Sequence, residues 1–490
     1  EWLRLAAVFV GLGTAIGTGE AVRILFRWSP EFTRKFVHVT VGLLAFFSPA
    51  IFHTALPAIL LGVAFTVINI FAVKFGLFRA MHGTARPTYG TVFYPLAFLI
   101  LVLLFWYRAP LVLSLSMLVL ALGDAAAAIV GESYRTPTVF RLSSDKKSVE
   151  GSIAMFMVTF VTLFAGIQQF GLEHHRSFEF AFAVATVGSL TATAWEALSS
   201  RGLDNLTIPL STAFVLWYYL YPGPEADLQQ FTMGTGLAVL VAVVSFRVGF
   251  LDLSGAVATF LLATIVFGVG GWVWTLPILA FFILSSLLSR LGRKTKAELG
   301  EVFSKGSTRD YAQVFANGGV AGILVFLSSV FPRADFFPLY LGSLAAVMAD
   351  TWGTEIGLLS KTRTVLLTTF RRVAPGTNGG VTLTGFAAGA AGAAVIGVTG
   401  GYGGGDFSIV IPVVIAGVVG SGIDSLVGAT LQAEFQCPEC GKVTEKSVHC
   451  RGMQTRFERG WKWMNNDRVN WFCAIAGAAA MVVLEPVFRM

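Results

Sequence analysis

The stretch LALGDAAAAIVGESY, Leu120–Tyr134, is apolar or small almost throughout, yet Asp124 stands inside it and Gly131-Glu132 sit near its end. It closes a longer apolar run that begins near residue 110. A helix needs about 20 such residues to cross the hydrocarbon core of a bilayer. Similar runs recur along the whole chain. The 490 residues are 55% hydrophobic and 13% charged, where a soluble domain carries about 25% charged residues. Mean hydropathy is +0.72. The alternation of a membrane β-barrel is absent, so the backbone must satisfy its hydrogen bonds inside helices. The sequence predicts an all-α, polytopic membrane protein.

About 14–16 transmembrane helices are expected. They fall near 3–26, 36–54, 55–75, 88–107, 110–131, 151–170, 178–199, 206–222, 231–250, 253–269, 272–290, 310–331, 336–358, 380–400, 407–430 and 469–488. No cleavable signal peptide is read, and the opening Glu1-Trp2 has the look of a trimmed chain. Lys and Arg number 35 against 28 Asp and Glu, a net charge of +7. Basic residues collect in loops that follow odd-numbered spans, such as Arg135-Arg141-Lys146-Lys147 and Arg290-Arg293-Lys294-Lys296. Loops after even-numbered spans, such as SPAIFHTALP and GGYGGGDF, are nearly bare. By the positive-inside rule the basic loops are expected in the cytoplasm and both termini outside. Basic residues that merely solvated helix ends would not alternate in this way.

The most linker-like stretch is YPGPEADLQQ, Tyr221–Gln230. It divides an expected domain at 1–224 from one at 225–490, the second with a Cys-containing cytoplasmic loop at 432–468. The two share a layout. GDAAAAIVGE is followed by KSVEGS, and ADTWGTEIG by PGTNGGVTLTG: an acid in a small-residue helix, then a polar start to the next span. Either an internal duplication or two modules built for similar chemistry would produce this.

A carboxylate inside a membrane helix is costly and marks a functional candidate. Asp124, Glu196, Asp350, Glu355 and Asp424 qualify, each beside Gly, Ala or Ser at the expected cytoplasmic end of its span. One such acid is often structural; five in the same setting point to chemistry. In KSVEGS, Lys147, Ser148, Glu150 and Ser152 open a helix, where free N–H groups and the dipole favour phosphate. Asp204-Asn205 offers hard oxygen ligands of the kind Mg²⁺ takes. Acids, a lysine and a helix N-terminus suffice for phosphoryl transfer, which depends on positioning and charge neutralisation. No GxxxxGK[ST] stretch and no soluble-kinase pattern occurs.

RKFVHVTVG, PTYGTVFYP, GDAAAAIVGE, KKSVEGS and WE…LDNLTIP, within residues 30–220, together resemble the phytol kinase and dolichol kinase family. That family is distantly related to phosphatidate cytidylyltransferases. The resemblance implies CTP-dependent phosphorylation of a long isoprenoid alcohol. Carried over by position, it points to Asp124, Lys147, Glu150, Asp204 and Asn205, with Ser148 beside the phosphates and Asp124 and Asp204 on Mg²⁺. RVGFLDLSGA, GSTRDYAQVFANGG, ADTWGTEIG, PGTNGGVTLTG, GSGIDSLVGATLQ and NNDRVN, within residues 246–470, resemble the family of phytyl-phosphate kinase and its transmembrane relatives. This implies addition of a second phosphate to an isoprenyl monophosphate. The positions implied are Arg309, Gln313, Asn317, Asp350, Glu355, Asn378, Asp424, Asn466 and Asn470. By chemistry, Asp350 and Asp424 would hold Mg²⁺, Arg309 and Asn378 phosphate, and Asn466 and Asn470 would orient either. For any one Asn, helix capping or an interhelical hydrogen bond is an equal alternative.

Joined, the halves imply a bifunctional kinase: prenol to monophosphate to diphosphate, with nucleoside triphosphate as donor and active sites on the cytoplasmic face. The partners are isoprenoid lipids, nucleotide and the membrane. No nucleic acid is expected, and a homo-oligomer is compatible with this reading. The rivals are a dolichol or other lipid kinase and a lipid or isoprenoid-phosphate flippase. Transport is disfavoured because the acids lie at span ends rather than near the midplane.

Cys437, Cys440, His449 and Cys450 lie in QCPECGKVTEKSVHC. A C-x-x-C pair with a following His-Cys resembles a small Zn²⁺ knuckle. Against this stand reduced, unligated thiols, and the adjacency of His449 and Cys450 argues that they do not share one tetrahedral ion. Cys473 is read as packing. His38 is read as an interfacial residue at the headgroups, and His174-His175 as a solvated turn. The glycines of GFAAGAAGAA, Gly385–Ala394, are read as close helix packing.

Overall fold

The computed structural model describes residues 1–26, 30–75, 88–173, 176–223, 227–291, 308–360 and 362–488. His174-His175 and the basic stretches at 76–87 and 292–307 lie outside the described residues. Nearly everything described is helix: α1 (Trp2–Phe26), α2 (Pro30–Ile51), α3 (Ala55–Phe75), α4 (Gly90–Phe105), α5 (Pro110–Ser133), α6 (Val149–Phe170), α7 (Phe178–Leu198), α8 (Asp204–Leu220), α9 (Leu228–Arg247), α10 (Leu253–Leu291), α11 (Tyr311–Val330), α12 (Phe337–Leu359), α13 (Leu383–Gly404), α14 (Val410–Thr430) and α15 (Asn466–Phe488). By length and composition, 12 of these can cross a membrane. The spans expected at 253–269 and 272–290 are the two halves of α10: Gly271, with φ 62 and ψ −163, is not helical and separates two helices that meet there, and the chain doubles back so that the rings of Phe250 and Phe282 lie 6.2 Å apart. Gly270-Gly271 supplies the break without any turn residues, because glycine adopts positive φ freely.

Large apolar side chains on the helix surfaces, such as Leu103, Leu240, Phe386 and Val483, are exposed. They belong against lipid, since a bilayer solvates them as well as a core does. Small residues mark the helix contacts: a Cβ on Gly477 would lie 2.3 Å from Gly342 O, and one on Gly420 2.3 Å from Ala346 Cβ. Fold and composition together make this an integral membrane protein.

The chain forms two compact units, Glu1–Leu228 and Gln229–Met490. In the first, α5 is the central helix, packed against α2, α6 and α8, with 72% of its span buried. In the second, α12 holds the centre against α11, α13, α14 and α15. Short ladders precede two helices: β1 (Val139–Phe140) with β2 (Lys147–Ser148) before α6, and β3 (Val365–Leu366) with β4 (Gly380–Val381) before α13. Between α14 and α15 lies a small β-rich segment. It contains β5 (Glu434–Gln436), β6 (Val443–Thr444), β7 (Val448–His449), β8 (Met453–Gln454) and β9 (Arg456–Arg459), in a three-stranded sheet β6-β5-β9 and a β7-β8 hairpin.

Candidate active sites

The two units build the surroundings of their acids in the same way. In the first, Asp124 lies on α5 with Ala127 and Gly131 beyond it. The β1–β2 ladder leads to Ser148, which holds extended backbone (φ −123, ψ 150) and caps α6 by accepting a hydrogen bond from Gly151 N at 3.1 Å. A Cβ on Gly151 would stand 2.7 Å from Ala127 O, and one on Gly131 2.7 Å from Ser148 Oγ. In the second, Asp350 lies on α12 with Gly353 and Gly357 at the same intervals. The β3–β4 ladder leads to Thr382 (φ −125, ψ 151), which caps α13 by accepting from Gly385 N at 3.0 Å. A Cβ on Gly385 would stand 2.6 Å from Gly353 O, and one on Gly357 3.0 Å from Thr382 Oγ1. Each unit thus presses a helix N-terminus against an acid-bearing helix at positions where only a hydrogen fits. The residue before the cap differs: Lys147 in the first unit, Val381 in the second.

In the first unit a cavity of about 690 Å³ is polar along one wall and apolar along another. Lys35 Nζ lies 2.6 Å from Asp124 Oδ2, and His38 Nε2 lies 3.5 Å from the same oxygen. Lys147 Nζ lies 2.6 Å from Glu196 Oε1 and 3.3 Å from Asp204 Oδ2. Burial alone would lower the Lys147 pKa, but the charges of Asp204 and Glu196 outweigh it and raise it. The lysine therefore stays protonated. Ser152 Oγ donates to Glu196 Oε2 at 3.5 Å. Asn205 Nδ2 donates to Gly202 O and Asp204 Oδ1, at 3.2 and 3.1 Å, and so shapes the turn at the start of α8. The apolar wall comes from Val8, Leu12, Val41, Leu44, Leu61, Phe65 and Phe98, on α1 to α4.

Asp124, Lys147, Ser148, Asp204 and Asn205 all line this cavity, but Glu150 does not. The first turn of α6 points it at the residue just before β1, where both carboxylate oxygens accept from Thr138 N at 3.0 and 3.1 Å. His38 differs from its expected headgroup position: it sits in the cavity with its ring edge-on to Tyr94 at 4.7 Å. Lys35 is the partner that sequence reasoning missed. In RKFVHVTVG, Lys35 and His38 share a helix face at i and i+3, and that spacing could have flagged them.

In the second unit a cavity of about 920 Å³ takes its walls from α12, α13, α14, the β3–β4 region and the starts of α11 and α15. Asp350 and Asp424 face each other within hydrogen-bonding range. Asp424 Oδ2 is buried and accepts no hydrogen bond. Among the described residues no basic side chain ion-pairs with either acid. Two carboxylates this close repel unless a proton or a cation lies between them, so the pair is a donor set suited to a hard divalent ion. Glu355 Oε1 accepts from Ser289 Oγ at 2.7 Å. The Arg309 guanidinium is stacked 5.6 Å from the Phe281 ring centre, and burial lowers its pKa to about 10 while Glu355 opposes the shift. Asp310 and Gln313 close a capping box on α11 immediately after it. Asn470 Nδ2 donates to Asn317 Oδ1 at 3.1 Å, so this pair is an interhelical clamp in the cavity wall. Asn378 and Asn466 line the cavity as well. Gly379 holds Asn378 in place with φ +74, packed so closely on α14 that a Cβ would stand 2.4 Å from Ala429 Cβ.

Cys437, Cys440, His449 and Cys450 bring their ligand atoms within 4.8 Å of one another, outside both cavities. The adjacency objection fails because the chain turns sharply there: Cys450, Arg451 and Gly452 have φ 28, 49 and 86.

Fold and sites together define a polytopic helical membrane protein with an acid-lined pocket in each of two units. Residues 236–478 match the family described as integral membrane protein DUF92. The chain is 34% identical over 236 residues to Protein PGR of Arabidopsis thaliana, covering 43% of this chain and 82% of that one. It is 35% identical over 183 residues to an uncharacterized membrane protein of Methanocaldococcus jannaschii, covering 37% and 75%. The chain belongs to the DUF92 family of integral membrane proteins. It is also similar to the phytol kinase of Synechocystis sp., 27% identical over 226 residues, or 45% of this chain and 94% of that protein. No solved structure matches.

Proposed function

We propose that the chain phosphorylates an isoprenoid alcohol such as phytol or geranylgeraniol twice, first to the monophosphate in unit 1 and then to the diphosphate in unit 2. Nucleoside triphosphate is the donor, CTP in the first step, and both sites open to the cytoplasm. The observation that carries this is the unit 1 cavity, in which Lys35 and Lys147, their partners Asp124, Glu196 and Asp204, and a capped helix start share one space with an apolar wall. The polar part suits a triphosphate and the apolar part a lipid tail. The phytol kinase relative supports the same substrate class.

The acceptor hydroxyl attacks the terminal phosphorus, the bond to the bridging oxygen breaks, and nucleoside diphosphate leaves. In the first step the hydroxyl proton passes to Asp124, which Lys35 and His38 hold in place. Lys147 and the start of α6 neutralise the phosphate oxygens. The second acceptor is different: a phosphate monoester already carries about −1.5 to −2 charges at neutral pH. It needs no base but more positive charge. Unit 2 answers with Arg309 and with Asp350 and Asp424, which would hold Mg²⁺; bound there, the ion would neutralise charge on the transferring group. In unit 1, Mg²⁺ on Asp124 and Asp204 would have to displace Lys35 and Lys147.

The test uses the purified full chain in lipid with CTP, Mg²⁺ and geranylgeraniol. Asp124→Ala is expected to stop monophosphate formation while added geranylgeranyl monophosphate still becomes diphosphate; Asp350→Ala is expected to do the reverse. Loss of both steps in either correctly folded variant would sink the two-site assignment. Nucleotide consumption without a lipid product would sink the kinase itself, and lipid movement across sealed vesicles would put a flippase in its place.

A further inference from the structure

We infer that Cys437, Cys440, His449 and Cys450 bind one structural Zn²⁺, and that this ion fixes Glu445 and Lys446 at the wall of the unit 2 cavity. The two halves of the ligand set come from two tight turns. In the first, Gly441 N donates to Cys437 O at 2.9 Å and Gly441 takes φ +71, the turn that brings Cys440 back beside Cys437. In the second, Met453 N donates to Cys450 O at 3.0 Å across the β7–β8 hairpin. His449 Nδ1 lies 3.6 Å from Cys440 Sγ and 3.2 Å from Cys450 Sγ. Tetrahedral zinc with Zn–S of about 2.3 Å and Zn–N of about 2.0 Å holds its ligand atoms at about this spacing. Four protein ligands leave no open position, so the ion would be structural rather than catalytic. Three thiols and an imidazole, soft donors on a loop built of short strands, favour zinc over the hard ions suited to the acid pairs.

The chain between the two turns carries Glu445 and Lys446, both of which line the cavity. Gln432, two residues beyond the helix that bears Asp424, donates from Nε2 to Glu445 Oε1 at 2.6 Å. Thr455 Oγ1 donates to Lys446 O at 2.8 Å, and Thr455 N to Ser447 O at 3.0 Å. The β6-β5-β9 sheet is held by the Arg459–Glu434 ion pair and the Phe435–Phe457 ring contact, but strands of two to four residues with few buried apolar groups leave the Cys440 turn and the β7–β8 hairpin little core of their own. A metal clip is the usual remedy in so small a module. The positioning half of this inference rests on the reading of unit 2 as the second phosphorylation site; the metal half stands without it.

Zinc in the purified full chain is measured by mass spectrometry after dialysis against metal-free buffer and again after loading with zinc chloride. One equivalent per chain is expected, reduced to below a tenth in Cys437→Ser/Cys440→Ser. X-ray absorption at the zinc edge should report three sulfur ligands and one nitrogen. Absence of zinc even after loading, or a spectrum of oxygen ligands only, overturns the site. Proteolysis of the 432–468 segment should accelerate at least tenfold when a zinc-selective chelator is added with Mg²⁺ kept in excess, while helical circular dichroism stays constant; unchanged cleavage overturns the clip. The same chelation should slow conversion of added prenyl monophosphate at least tenfold and leave the first step unchanged, since displacing a positioned group by about 1 Å costs that much or more. Intact second-step activity in the zinc-free chain overturns the positioning role. If Asp350→Ala has meanwhile failed to affect that step, the site assignment has failed rather than the clip.

Discussion

Lys35 and Asp124 meet from positions 89 residues apart, and their side chains are only 9% and 11% exposed. Removing one partner of a buried pair strands the other charge, which costs about 3–5 kcal/mol. Lys35→Ala should therefore lower the unfolding temperature of unit 1 sharply in a thermal melt. The double change Lys35→Ala/Asp124→Asn should recover most of that loss without restoring monophosphate formation. A double variant as unstable as the single one would mean that Lys35 acts by packing alone. The acids and Lys147 were legible as candidates in the sequence because a charge in an apolar run stands out. Their partners were not. Nothing local couples RKFVHVTVG to GDAAAAIVGE, so His38 looked like a headgroup residue until the fold set it 3.5 Å from Asp124. Glu150 erred the other way: its place in KSVEGS suggested chemistry, but the direction of one side chain in a first helical turn is set by the loop it meets.

At the level of elements, the helix starts at Ser148 and Thr382 are a polar cap on a span that must otherwise satisfy itself. Losing either cap oxygen should cost about 1 kcal/mol, and Ser148→Thr should retain what Ser148→Ala loses. The glycine contacts are less forgiving. Gly151→Ala and Gly385→Ala each drive a methyl into a carbonyl oxygen, and overpacking of this kind costs about 1–3 kcal/mol. Each should impair the reaction of its own unit alone, measured with alcohol for Gly151→Ala and with prenyl monophosphate for Gly385→Ala. If both depress both reactions equally, the helix starts are general scaffolding. Hydrophobic runs made the helices readable, and the two polar starts KSVEGS and PGTNGGVTLTG were visible as parallel features. The break at Gly271 falls where GVGGW divides two apolar runs, and glycine's freedom at positive φ lets the two helices meet there with almost no loop between them.

Across the whole molecule, all-helical character and membrane residence follow directly from composition, since no other secondary structure hides its backbone in lipid at this hydropathy. The arrangement of the pockets does not, because each wall gathers four or more separated segments. The proposed intermediate has a lipid tail and so remains dissolved in the bilayer between steps. Asp124→Ala and Asp350→Ala proteins placed in the same vesicles should therefore convert alcohol to diphosphate together. The same two proteins in separate vesicles should not. Complementation across separate vesicles would mean that the intermediate leaves the membrane, and failure within one vesicle would mean that it is handed over inside a single chain.

The bare acid pair of unit 2 sets the two halves apart even when neither is turning over. Asp124, Glu196 and Asp204 of the first pocket already rest against an ammonium group, so that acid cluster is electrically settled while idle. Among the described residues Asp350 and Asp424 have no such companion, and they depend on whatever the solution lends them. Stripping divalent ions from the protein should consequently soften the second half while sparing the first. Deuterium uptake along α12 and α14, rising on chelation and falling again on adding Mg²⁺, would make that dependence visible before any substrate is present.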